Sequence, residues 1–178
     1  MTDDLFTRPP VLGFAAWSGT GKTTLLERLL PLLREPGLRI GLIKHAHHDF
    51  DIDRPGKDSH RLRHAGAGQV LIASGRRWAL MTETPDRGEA ELAELIPRLD
   101  REALDLILVE GFRHERFPKL ELHRAASAKP LLYPDDDSII AVLSDTPLEM
   151  DLPQLDINDF PAVAAFILEY VNTHRATG

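Results

Sequence analysis

Ala16-Trp17-Ser18-Gly19-Thr20-Gly21-Lys22-Thr23-Thr24 decides the reading of this chain, because its Gly-Lys-Thr core lies between a short apolar run and an amphipathic segment. The phosphate loop of a nucleoside triphosphate site, G-x-x-x-x-G-K-[ST], joins a strand to a helix in this way. Its backbone N–H groups turn inward around the phosphates, its lysine reaches the β- and γ-phosphates, and its hydroxyl ligates Mg²⁺. Gly21, Lys22 and Thr23 fit those roles, and Ser18, Gly19, Thr20 and Thr24 complete the candidate cradle. Upstream, Val11-Leu12-Gly13-Phe14-Ala15 reads as a buried strand. Downstream, Leu25, Leu26, Leu29, Leu30 and Leu33 share one helical face, and the start of that helix adds the positive end of a dipole. Ala16 replaces the first glycine of the pattern. If the backbone there needs positive φ, alanine costs on the order of 1 kcal/mol, and Gly19 then supplies the freedom.

The chain has 178 residues, enough for one sizeable core, so a single domain over 1–178 is expected. Its 43% hydrophobic and 28% charged residues are ordinary for a soluble globular protein. No apolar run approaches a membrane span, and Met1-Thr2-Asp3-Asp4 lacks the basic-then-apolar layout of a signal peptide. Cysteine is absent, which excludes a disulfide framework and thiolate chemistry and fits a cytoplasmic protein. The net charge of −7 argues against a general nucleic-acid binder. Charge is unevenly spread, however: Arg39, Lys44, Arg54, Lys57, Arg61, Arg63, Arg76 and Arg77 face only Asp49, Asp51, Asp53 and Asp58 in a stretch with five histidines. That basic segment suits a phosphorylated ligand or an acidic partner, or is simply a solvated face.

Apolar strands alternate with amphipathic helices, the pattern of an α/β protein with a mostly parallel sheet covered on both faces. Pro31 should kink or end the first long helix. Leu38–Ile43 reads as a second strand, and Lys57 to Ala65 as a short helix capped by Asp58 or Ser59 and followed by Gly66. Gln69 to Ala73 and Trp78 to Thr82 read as a hairpin through Ser74-Gly75-Arg76-Arg77. A helix is expected from Thr84-Pro85-Asp86 through Leu92, Leu95, Ile96 and Leu99. Leu104–Val109 is then the best central strand, with Lys119–His123 and Ile139–Leu143 beside it. Ala125 to Asp137 is loop-like. Val163, Phe166, Ile167, Tyr170 and Val171 stripe a last helix.

A phosphate loop needs a carboxylate near its Mg²⁺, usually at the tip of a neighbouring strand. Glu110, directly after Val109, is placed to ligate the cation or to hold a water as general base. Asp58 is a second candidate for the cation, or only a helix cap, and Asp53 competes with it. His45-Ala46-His47-His48-Asp49 offers imidazoles and a carboxylate, yet matches no zinc spacing. Asp145, after the strand ending at Leu143, suits the N1–H and N2–H₂ edge of guanine; a surface turn Asp145-Thr146-Pro147 is the rival reading.

Seven ordered stretches resemble the MobB family of molybdopterin-guanine dinucleotide biosynthesis adaptor proteins. They are Phe14 to Thr24, Gly41-Leu42-Ile43-Lys44-His45, Asp53 to Ser59, Ala65-Gly66-Ala67, Trp78 to Pro85, Leu106 to Phe112 and Leu155 to Asp159. The likeness runs over nearly the whole chain and fails mainly between Arg124 and Asp137. It implies a P-loop NTPase-type three-layer fold with some antiparallel strands. It also implies a cytoplasmic, homodimeric GTP- and Mg²⁺-binding accessory protein with weak GTPase activity. Its partner would be the guanylyltransferase that joins GMP to Mo-molybdopterin, and Mo-molybdopterin or the guanine dinucleotide product would be further ligands. On this reading Lys22 and Glu110 act on the triphosphate, Thr23, Asp58 and Glu110 hold the cation, and no nucleic acid or membrane is engaged. Val109-Glu110-Gly111 also resembles dethiobiotin synthetase, which keeps a self-sufficient ATP-dependent kinase or ligase as the alternative.

Overall fold

The computed structural model describes residues 3–46, 50–85 and 88–176. They form two compact units, one of 1–45 with 91–178 and one of 46–90.

The larger unit is a three-layer α/β sandwich. In chain order it holds α1 (Asp3–Thr7), β1 (Val11–Ala15), α2 (Lys22–Arg34) and β2 (Ile40–Lys44). The smaller unit intervenes with α3 (Asp58–His64), β3 (Gln69–Ala73) and β4 (Trp78–Thr82). The larger unit then resumes with α4 (Leu92–Leu95), β5 (Leu106–Glu110), β6 (Lys119–His123), β7 (Ile139–Ser144), β8 (Gln154–Asp156) and α5 (Phe160–Ala176). Its sheet has the order β2-β5-β1-β6-β7-β8 with every pairing parallel. Side chains alternate across that sheet, as period-two geometry requires. Leu12, Phe14, Leu106, Leu108, Leu120 and Leu122 join α2 and α5 on one face. Val11, Ile107 and Val109 join Leu92, Ile96 and Phe117 on the other.

Several expectations shift. The helix α2 runs on through Pro31 to Arg34. The proline removes one bond to the carbonyl of Glu27, an exposed position that water can serve, while Leu29 and Leu33 keep the helix packed. The segment from Thr84 becomes helical only at Leu92, continuing as a 3₁₀ turn over Ile96–Arg98. Gly88-Glu89-Ala90-Glu91 has no large apolar side chain to bury, whereas Leu92 is fully buried; Asp86 lies outside the described residues. The short strand β8 and helix α1 add to the expected elements.

In the smaller unit β3 and β4 pair antiparallel from Gln69↔Thr82 to Ala73↔Trp78, closed by Ser74 N–H donating to the Arg77 carbonyl at 2.8 Å. Lys57, not Asp58 or Ser59, holds the N-cap position of α3, and no side chain caps it. The guanidinium of Arg63 donates to both Asp51 oxygens at 2.7 Å and to Glu83 at 2.8 Å, clamping the loop, helix and hairpin together.

Candidate functional site

The phosphate loop leaves β1 at the carboxyl edge of the sheet, beside its neighbours β5 and β6. Gly19 and Gly21 take φ +82° and +98°, and a Cβ at either would meet nothing within 4 Å, so the loop is open on its ligand side. Ala16 is not among the residues at positive φ, and the alanine is therefore accommodated without the strain its replacement of glycine could have caused. Thr20 is buried and its hydroxyl donates to the Trp17 carbonyl at 2.8 Å, tying the loop across itself. No side chain caps α2, and Gly21 stands at its N-cap. First-turn N–H groups left this way are a ready anion site.

Lys22 Nζ donates to the Ala16 carbonyl at 3.4 Å. Burial holds its pKa below the ordinary value; nearby Glu110 opposes the shift, and Lys44 and Arg113 add to it. Parallel register places Glu110 opposite Phe14 on one side and Lys44 on the other. Its carboxylate accepts from Thr23 Oγ1 at 3.4 Å and pairs with Lys44 Nζ at 3.1 Å. A hydroxyl and a carboxylate oxygen this close are a donor set suited to Mg²⁺, a hard cation that is held by one or two carboxylates plus substrate phosphates. Gly111, next along, takes φ +104°, and a Cβ there would lie 2.5 Å from His45 Cβ. Only glycine lets Glu110 turn out of the strand so near β2.

Asp145 directly follows β7, as expected, but its carboxylate is engaged. Oδ1 accepts from the Ala125 N–H at 2.9 Å, which together with Arg124 3.5 Å away lowers its pKa. Arg124 also donates from Nε to the Thr20 carbonyl at 3.3 Å and reaches Asn158 Oδ1 at 3.5 Å. It thus joins the phosphate loop to the ends of β7 and β8, a connection the sequence reading missed. The placement rule that found Glu110 applies equally to Arg124, the first residue past β6.

Asp58 and Asp53 belong to the smaller unit. The Asp58 side chain is 92% exposed and lies 3.6 Å from Arg61, while Asp53 Oδ1 accepts from the Arg54 N–H at 2.9 Å. Of the histidine cluster, His45 stacks on Phe112 with centroids 4.7 Å apart, and His47, His48 and Asp49 lie outside the described residues. Many charges of the basic segment are used internally, with Arg39 on Asp105, Lys44 on Glu110 and Arg63 on Asp51 and Glu83. Arg54, Lys57, Arg61, Arg76 and Arg77 are exposed. A cavity of about 310 Å³ adjoins the loop at Trp17, Arg113, Glu115, Leu132 and Asp136. A larger one, of about 610 Å³, lies at the opposite, amino end of the strands around Pro10, Leu104 and Arg175.

Comparison with known proteins identifies the family. The family model described as molybdopterin guanine dinucleotide synthesis protein B matches residues 11–145. The molybdopterin-guanine dinucleotide biosynthesis adapter protein of Escherichia coli K12 is 55% identical over 166 residues, 93% of this chain and 95% of the relative. That of Haemophilus influenzae is 46% identical over 164 residues, 92% of this chain and 90% of its own. A crystal structure of molybdopterin-guanine biosynthesis protein B superposes with a TM-score of 0.74 at 26% identity, covering 91% of this chain and 99% of that one. HypB of Helicobacter pylori, at 15% identity and a TM-score of 0.54 over 97% of this chain and 91% of its own, shares the fold alone. The chain belongs to the MobB family, the molybdopterin-guanine dinucleotide biosynthesis adapter proteins.

Proposed function

We propose that this chain is a GTP-binding accessory protein that assists guanylyl transfer from GTP to Mo-molybdopterin, working as a cytoplasmic homodimer with a guanylyltransferase. One observation carries the nucleotide reading: the Thr23 hydroxyl and the Glu110 carboxylate meet at 3.4 Å beside Lys22, at the mouth of an uncapped helix. Ser18 to Thr24 hold the phosphates, Lys22 neutralises the β- and γ-oxygens, and Thr23 and Glu110 would hold the cation, with Asp58 kept as a candidate from the sequence alone. Mg²⁺ held by these residues would supply neutralisation of the triphosphate charge. Asp145 reads the guanine edge, sharing its carboxylate with Ala125 and Arg124. The adapter role follows the names of the relatives in Escherichia coli and Haemophilus influenzae. The rival, a self-sufficient ATP-dependent kinase or ligase, has no counterpart among them. Pairing with a second copy is supported by the hairpin β3–β4, whose Leu71, Ile72, Trp78 and Leu80 are exposed.

Titration with GTP and with ATP, with and without Mg²⁺, tests the reading beside a Lys22→Ala control. GTP-selective, Mg²⁺-dependent binding that the control loses, with hydrolysis far slower than ~1 s⁻¹, is the expected result. ATP preference with faster turnover overturns it. An Asp58→Asn chain whose Mg²⁺ dependence matches the parent removes Asp58 from the ligand set.

A further inference from the structure

Three residues beyond Glu110, Arg113 rides on a segment built to hold one shape. Gly111 takes φ +104°, and Phe112 follows at φ +53°, a left-handed conformation that bulky residues rarely adopt. Phe112 is kept there by burial and by its stack on His45. From the other side, Lys119, only 1% exposed, donates from Nζ to the carbonyls of Arg113 at 3.1 Å and Glu115 at 2.7 Å, and pairs with Asp136 at 2.7 Å. The backbone of Arg113 is thus fixed while its side chain is exposed.

The guanidinium of Arg113 lies 5.0 Å from the ring centroid of Trp17, a residue of the phosphate loop. Its other contact is His114 Nε2 at 3.1 Å, and among the described residues no carboxylate pairs with it. Of the neighbouring cations, Lys44, Arg116, Lys119 and Arg124 each have a carboxylate partner. Arg113 is also close enough to Lys22 to disfavour that ammonium. A guanidinium set over a residue of the phosphate loop, with no carboxylate partner among the described residues, is arranged for an anion held by that loop. A planar guanidinium binds phosphate oxygens through parallel N–H donors, an interaction stronger than its place on an aromatic face.

We propose that Arg113 is a γ-phosphate ligand supplied in cis, which leaves the face of Trp17 when the loop holds a nucleoside triphosphate and stays on it when the loop holds a diphosphate. The proposal rests on the nucleotide reading above. It also makes Trp17 a reporter, because the Trp17 indole N–H donates to the Pro130 carbonyl at 2.8 Å with Lys129 5.8 Å from the ring. Departure of Arg113 therefore changes the surroundings of a residue that holds the segment after β6.

The test uses the full chain with Trp78→Phe, which leaves Trp17 as the single tryptophan, carrying Arg113 or Arg113→Lys or Arg113→Ala. Affinities for GDP and for a non-hydrolysable GTP analogue are measured together with Trp17 fluorescence. Arg113→Ala is expected to weaken the analogue about tenfold or more while GDP stays within about twofold, with Arg113→Lys in between. In the parent the analogue and GDP give different Trp17 signals; in Arg113→Ala the difference disappears. Single-turnover hydrolysis falls by about tenfold or more. Unchanged GDP affinity also shows that the variant is folded, since Lys119 holds the backbone of Arg113 and not its side chain. An unchanged ratio of analogue to GDP affinity, or an equal loss of both, overturns the proposal. A parent chain that binds neither nucleotide overturns the nucleotide reading itself, and the proposal with it.

Discussion

Leu106, Leu108, Leu120 and Leu143 of the parallel sheet are fully buried, whereas no described residue between 46 and 90 is buried, and Leu71, Trp78 and Leu80 of the hairpin are 62%, 69% and 50% exposed. Both regions have similar strand-forming sequence, so composition alone does not separate them. What differs is whether a helix face covers the strands. In the larger unit α2 and α5 cover one face and α4 with α1 the other, giving a core that holds Gly19 to Lys22 and Glu110 in fixed relation. The smaller unit is held by a five-pair ladder and the Arg63 clamp. A lone two-stranded hairpin is marginal in water, so this unit is stabilised by whatever covers its apolar side chains, here proposed as a second copy.

The contrast is broken most severely in the core. Leu108→Ala is expected to destabilise the folded state by about 2–5 kcal/mol, read from denaturant melts, because the packed sheet cannot collapse onto the cavity. The equivalent Leu80→Ala costs the dilute protein under about 0.5 kcal/mol. Equal losses at the two leucines would mean that the hairpin face is covered within a single chain. Next in size, Leu71→Asp with Trp78→Asp should weaken self-association about 100-fold or more in sedimentation equilibrium while leaving GTP affinity intact. A double variant that self-associates as the parent does places the contact elsewhere.

A milder effect sharpens how the larger unit is tied at its amino edge. The Asp105 carboxylate accepts from the Arg39 N–H at 2.8 Å and Nε at 2.9 Å and pairs with Arg175 at 2.6 Å, linking β2, β5 and α5. The Arg39 side chain above all, opposed by burial, brings its pKa from 3.8 to about 2. A carboxylate depressed in the folded state contributes stability above its unfolded pKa and loses it as pH falls toward the folded one. Since solvent screens Arg39, the contribution is about 1 kcal/mol. Wild type should exceed Asp105→Asn by that amount in melts above pH ~5, with the gap closing between about pH 4 and 2. A gap that persists at pH ~2 contradicts the linkage.

The legible part of this molecule is the part whose chemistry is local. The phosphate loop, β1, the hairpin strands and the turn at Glu110-Gly111 follow from adjacent residues, because glycine, lysine and strand-terminal acids act where they stand. Illegible features depend on what tertiary neighbours do. Asp58 reads as a cap until the cap position falls one residue earlier, on Lys57, and Asp58 opens the helix. Pro31 reads as a helix end until Leu33 is seen to pack beyond it. Lys119 and Glu121 sit in a strand with alternate apolar residues, and nothing local tells that both are buried. Lys119 braces the carbonyls after Phe112, and Glu121 accepts from the Leu132 and Tyr133 N–H groups at 2.7 and 2.9 Å. They order the stretch where the family resemblance is weakest.

The smallest expected effect separates two arginines that look interchangeable in sequence. Arg61 and Arg63 both belong to the basic segment, yet the Arg63 side chain is clamped by Asp51 and Glu83, while Arg61, 74% exposed, pairs among the described residues with the exposed Asp58. Charge reversal at Arg63 would disrupt the clamp and so cannot report on a partner. Arg61→Glu leaves the clamp intact, changes stability by under about 0.5 kcal/mol and should leave GTP affinity unchanged. If this face meets an acidic partner or a phosphorylated ligand, Arg61→Glu weakens that association about two- to fivefold, more at low salt than at high. Titration against the guanylyltransferase proposed above as partner, at two ionic strengths, decides it. An affinity indifferent to both the substitution and the salt means that the exposed charges of the 46–90 unit are solvated, and that the partner is met through the apolar hairpin or through the larger unit.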